Sequence, residues 1–326
     1  MYPEPAVRQP PAALHDDELL YLVPDTGIDC AALDAWRRPA VEARCERLPE
    51  GPCGPAACLP GPLQHGFEVH AQVNPGARAL KFDGSELTYG ELDSQADGLA
   101  VRLQQNGLHP GQFCALYMEP SLAMVRAILA VLKAGGVYLL LDPAQPQQSI
   151  AAILEMARPR LVLTQERLAM RLGAPPARTL LCREDASDLP YAWPQEAPCV
   201  GLSPVCATAS VARNGRCSVV SKTQMAMLAH LGWRQEMSPI GQGDSVLQNT
   251  DPGQDGSEIL WSLCHGARLV IPSPRDAGNV SRMRQLVARE RITVMHVTGA
   301  RLRPLLEGAG AHELRSLRAL LCVRTD

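Results

Sequence analysis

The residue types that most readily do chemistry gather early in the chain, at Cys45, Cys53, Cys58, His65 and His70. Thiolates and imidazoles bind zinc, but these spacings hold no Cys-x-x-Cys pair, and Pro and Gly bracket the stretch from Cys53 to Cys58, so no metal centre is expected. Gly-x-Ser-x-Gly, His-Glu-x-x-His and paired catalytic carboxylates do not stand out, which leaves hydrolase chemistry without support. Asp255, in Asp255-Gly256-Ser257, precedes an apolar helical run and can cap it. His296 stands alone beside a strand-like run, the usual setting of a satisfied core or edge histidine. Asn214-Gly215 is a turn signal, with Arg213 and Arg216 on either side.

The elements that must position these groups follow from periodicity. With 326 residues and 46% hydrophobic content, the chain can bury one large core or two modest ones. Its 31 basic and 34 acidic residues nearly cancel, so neither nucleic acid nor an anionic membrane is an expected partner. No apolar run reaches the roughly 18 residues that span a bilayer, and the N-terminus lacks a signal-peptide pattern, so the expected location is the cytoplasm. The eleven cysteines lack a framework spacing, and Cys114, Cys182, Cys206 and Cys322 sit in apolar strand-like runs, as reduced thiols.

Residues 1–62 are dense in Pro and Gly and form an N-terminal extension, in which Asp17 to Val23 is a strand or short helix and Ala31 to Cys45 a helix. From residue 63 onward helices and apolar strands alternate. Helices are expected from Leu87 to Leu103, around Met124 to Leu132, and from a Ser149 cap to Ala157; strands at Cys114 to Met118, Val137 to Leu141 and Arg160 to Thr164. In the second half, strands are expected at Val205 to Thr208, Ser218 to Val220, Arg268 to Ile271, Thr293 to Val297 and Ala319 to Val323. Helices are expected at Thr223 to Arg234, Ser257 to Cys264 and Val280 to Glu290. Such alternation makes right-handed crossovers in a parallel sheet buried on both faces, so the fold class is α/β.

Three stretches together resemble the adenylate-forming superfamily, and most closely the amino-acid adenylation domains of nonribosomal peptide synthetases. They are Leu87-Thr88-Tyr89-Gly90-Glu91-Leu92, the run from Ala127 through Lys133-Ala134-Gly135-Gly136 to Tyr138, and Leu141-Asp142-Pro143-Ala144-Gln145-Pro146. Weaker matches follow at Gly266 to Val270 and Ile292 to His296. The resemblance implies the N-terminal part of the large subdomain of that fold, with parallel or mixed sheets flanked by helices, over residues 63–326. It implies ATP and Mg as cofactors, amino-acid activation as the family's reaction, and assembly-line modules or a small MbtH-like protein as partners.

The resemblance also implies site residues. The family's hydroxyl- and glycine-rich phosphate loop falls on Thr208 to Cys217, where Thr208 and Ser210 keep hydroxyls and Arg216 stands in place of Lys. Ser210 and Arg213 replace family glycines and Val211 adds β-branched bulk, each costing on the order of 1 kcal/mol or more where backbone must approach an anion. Triphosphate binding is therefore expected to be weak or absent, with Arg213 and Arg216 either a substitute cation clamp or a solvated basic loop. The Asp that pairs with the substrate ammonium falls on Asp255 when counted forward and on Gly253 when counted backward, with Asp255 favoured; His296, Leu321 and Val323 fall at pocket-lining positions. Where the family continues Gly-Gly-Glu, this chain has Arg324-Thr325-Asp326 and ends, without the family's later metal-binding acid and catalytic Lys. The expectation is a truncated, catalytically impaired homologue acting as a non-catalytic module. The alternatives are a ligase completed by another chain, or an interaction scaffold.

Overall fold

The computed structural model describes residues 18–22, 61–173, 175, 177–186, 193–194, 201–212, 215–249, 256–307 and 312–323. In chain order the elements are β1 (Glu18–Leu22), α1 (His65–Val73), β2 (Arg78–Phe82), β3 (Ser85–Thr88), α2 (Tyr89–Gln105), β4 (Phe113–Tyr117), α3 (Leu122–Lys133), β5 (Val137–Leu141), α4 (Gln147–Ala157), β6 (Leu161–Thr164), α5 (Glu166–Leu172) and β7 (Arg178–Leu181). There follow β8 (Pro204–Val211), β9 (Cys217–Thr223), α6 (Gln224–Met237), β10 (Ser245–Leu247), α7 (Ser257–Cys264), β11 (Arg268–Ile271), α8 (Pro274–Ala277), α9 (Val280–Glu290), β12 (Val294–Thr298), α10 (Gly299–Leu306) and β13 (Ala319–Val323).

These elements form two sheets. One has the order β1-β13-β12-β10-β11-β2-β3, the other β7-β6-β4-β5-β8-β9. Both are parallel in the middle; the first is antiparallel at both margins, where β1 pairs with β13 and β2 with β3, and the second at one, where β8 pairs with β9, its other edge strand β7 being parallel to β6. Strand alternation explains the layering. Leu269 and Ile271 point into the main core while Val270 points away; Leu116 points inward while Ala115 and Tyr117 point away. The main core lies between the sheets and holds α1, α2, α3, α6 and α7. A second cluster packs α9 and α10 on the outer face of the first sheet, and a third packs α4 on the outer face of the other.

A helix between two sheets must be apolar all round, and every residue of α3 is buried. Its last residue, Lys133, reaches Asp97 at 2.7 Å and Asp93 at 2.9 Å on α2 and Glu68 at 3.3 Å on α1, so one ammonium holds three helices. Gly135 ends the helix at φ +76, with its N–H on Leu132 O and the Gly136 N–H on Val131 O, the backbone geometry that glycine adopts without strain. Thr88 and Glu91 form a reciprocal capping box that starts α2.

The α/β class and the mixed sheets agree with the sequence. Several local expectations need correction. Ser149 does not begin α4; the helix starts two residues earlier after Pro146, whose φ of −56 suits a helix entry. β8 and β9 extend through Val211 and from Cys217, well into the segment assigned to a loop. Strands β2, β3, β7 and β10 and helices α1, α5, α8 and α10 have no counterpart among the sequence expectations. The stretch near Asp17 is a strand rather than a helix, whereas Ala31 to Cys45 and the cysteines Cys45, Cys53 and Cys58 lie outside the described residues. Cys114, Cys182 and Cys206 are buried free thiols.

Candidate functional site

The described residues on either side of the segment matched to a phosphate loop form a pair of antiparallel strands, a β-hairpin. Thr208 pairs with Val220, Ala209 with Val219, Ser210 with Ser218 and Val211 with Cys217. Side chains alternate along it, and Ala209, Val211, Cys217 and Val219 pack on the outer cluster beneath α4. Thr208 and Ser210 share the other face, where the Ser210 and Ser218 hydroxyls meet at 2.8 Å. Val211 is therefore a packing residue of an extended strand.

This geometry limits what the backbone can do. In an extended strand successive N–H groups point to opposite sides, while an anion nest needs consecutive N–H groups that converge. Among the described residues beyond the ladder, Ala212 N–H donates to Arg216 O and Gly215 N–H to Ala212 O, both at 2.9 Å. Arg216 is exposed, and Arg213 lies outside the described residues.

The residues matched to a substrate pocket lie on the other sheet. His296 on β12 faces Leu321 on β13 in register, and Val323 pairs with Thr298 by backbone. Leu321 is a core residue. Asp255 lies outside the described residues, and the N-cap of α7 is Gly256. The structure brings His296 and Leu321 together and leaves Thr208, Ser210 and Arg216 on the hairpin.

His296 is bonded on both sides. Its Nδ1 meets Glu258 of α7, and Arg234 Nη1 of α6 reaches its Nε2 at 2.6 Å. All three are buried, at 1%, 1% and 4% exposure, which only mutual pairing makes tolerable for such groups. Asn249 joins the cluster, its N–H donating to Glu258 Oε2 at 3.3 Å and its side-chain amide to His296 O at 2.8 Å. The Arg234 guanidinium lies 5.9 Å over the Trp261 ring, whose indole N–H donates to Gln235. With both imidazole nitrogens engaged, the cluster acts as a clasp between β12, α6 and α7. Sequence reasoning missed Arg234 and Glu258; the one available signal was an acid inside the apolar run Ser257–Cys264.

Comparison with known proteins decides the family. The model of the AMP-binding enzyme family matches residues 67–206. Phosphinothricin tripeptide synthetase PhsB of Streptomyces viridochromogenes is 33% identical over 284 residues, 84% of this chain and 23% of the synthetase. The nonribosomal peptide synthetase FmoA3, in its α-methyl-L-serine-AMP bound form, superposes with a TM-score of 0.74 at 26% identity over 82% of this chain and 30% of that one. This chain is a homologue of nonribosomal peptide synthetase adenylation domains. The N-terminal subdomain of Klebsiella oxytoca NpsA shares the fold, with a TM-score of 0.67 at 20% identity, over 76% of this chain and 63% of that one. The adenylation homologue spans 4–23% of the length of the first synthetases it matches. Among its described residues no helix is long and apolar enough to cross a membrane.

Proposed function

We propose that this adenylation homologue has weak or no nucleotide chemistry and acts as a non-catalytic module within or beside a nonribosomal peptide assembly line. The observation that supports this reading is the extended run from Thr208 to Val211. A triphosphate with its Mg ion does not fit that run, because alternating N–H groups cannot close on one anion and Val211 is committed to packing against the outer cluster. On this reading residues 63–326 form the AMP-binding part, and residues 1–62 are an extension that lends β1 to the sheet edge at β13.

One feature favours a ligase completed by another chain: Thr208 and Ser210 keep their hydroxyls on the same face of the hairpin. In that reading Arg216 supplies the cation and Asp255 the ammonium partner. Other modules of an assembly line, or an MbtH-like protein, are the partners proposed for either case.

Amino-acid-dependent ATP–pyrophosphate exchange separates the two readings. With the protein in the presence of its assembly-line neighbours, exchange is expected at background across a panel of amino acids. Exchange above background that Arg216→Gln abolishes would establish the ligase.

A further inference from the structure

Away from the hairpin, one cleft gathers positive charge. A cleft of about 520 Å³ opens at the end of the β4–β7 sheet where its parallel strands begin, and its lining includes Gln112, Arg158, Arg160 and Arg178. Among the described lining residues there is no carboxylate. In a chain whose charges otherwise nearly cancel, three guanidinium groups in one concavity set up a local positive potential that low-dielectric walls concentrate.

Two of these arginines stand where neighbouring strands begin. Leu161 of β6 pairs with Arg178 of β7, so Arg160, one residue before Leu161, and Arg178 start neighbouring strands. Arg160 is held at two points: its backbone N–H donates to Phe113 O at 2.8 Å, and its Nε donates to Gly107 O at 3.0 Å. Residue 107 sits at φ +86, a conformation that favours glycine, and a Cβ there would lie 2.7 Å from Arg160 Nη2. Arg158 closes α4 in the left-handed conformation at φ +45.

The competing account is that these cations merely offset helix carbonyl ends, and Arg160 does bond one such carbonyl after α2. That account leaves out Arg178, which starts a strand and follows no helix end directly. We propose that the cleft binds a small di- or polyphosphate through Arg158, Arg160 and Arg178. Several planar forks suit an anion with many charged oxygens, whereas a monocarboxylate is satisfied by one. The cleft is separate from the hairpin. Val137 begins its strand level with Phe113, and Val211 lies about six strand residues further along β8, roughly 20 Å away.

The test is titration of the whole chain with inorganic pyrophosphate by calorimetry at low salt, where screening is weak. Saturable binding in the millimolar range or tighter is expected. The double variant R158Q/R178Q should weaken it by roughly tenfold or more per guanidinium, with an unchanged melting temperature because both side chains are exposed. Arg216→Gln on the hairpin should leave binding intact. No saturable binding by the wild-type chain would overturn the proposal. So would binding that R158Q/R178Q leaves unchanged, or binding that Arg216→Gln abolishes.

Discussion

His296 carries its proton on Nδ1, and its neighbours decide this. A guanidinium has no lone pair to offer, so His296 Nε2 must accept from Arg234, and the remaining nitrogen donates to Glu258. Nitrogen-15 NMR should therefore show the proton on Nδ1; a ring with its proton on Nε2 alone would contradict the clasp. Truncating one partner leaves a buried charge uncompensated, so Arg234→Met is expected to cost about 3–5 kcal/mol in urea unfolding. Glu258→Gln should also destabilise, and the two losses should fall short of additivity because the residues act together. From sequence, His296 was legible as a histidine satisfied in or beside a strand. Its partners were not, being 62 and 38 residues distant along the chain.

At the scale of elements, the hairpin shows how a short pattern misleads. Thr208, Ala209, Ser210 and Val211 alternate polar and apolar, which is strand periodicity, yet four residues beside an Asn-Gly turn also suit a loop. What decides between them is the outer cluster, which gives Ala209, Val211 and Val219 something to pack on. Val219→Ser should destabilise the protein by about 1 kcal/mol or more through lost apolar contact, while Ser210→Ala should cost no more than about 1 kcal/mol by removing one exposed hydroxyl contact. Chemical denaturation of both variants checks the order; an equal or reversed order would mean the hairpin does not pack as described. By contrast β5, α7, β11, α9 and β13 match their sequence expectations, because their apolar runs end at unambiguous stops such as Gly135-Gly136 and Gly266.

At the scale of the whole molecule, most strands were legible but sheet order was not, since even expected partners such as β5 and β8 lie nearly seventy positions apart along the chain. The histidines beneath the first sheet give the fold a pH dependence. Burial lowers the pKa of both His70 and His265 below 6.5, with His70 also lowering that of His265. The unfolded chain then binds protons that the folded one refuses, so stability is present above pH 6.5 and falls as pH drops below it. The double variant H70Q/H265Q should flatten the fall of the urea midpoint as pH drops below about 6.5, and an unchanged slope would mean these rings are not the cause. Lys133→Met should destabilise by about 3 kcal/mol at neutral pH, since Asp93, Asp97 and Glu68 lose their shared cation.

The proposed replacement of an anion nest by a paired strand is tested most directly by equilibrium binding of labelled ATP with Mg to the whole chain. No saturable binding should be lost on changing Thr208, Ser210 or Arg216. Saturable ATP binding that T208A or R216Q abolishes would contradict it.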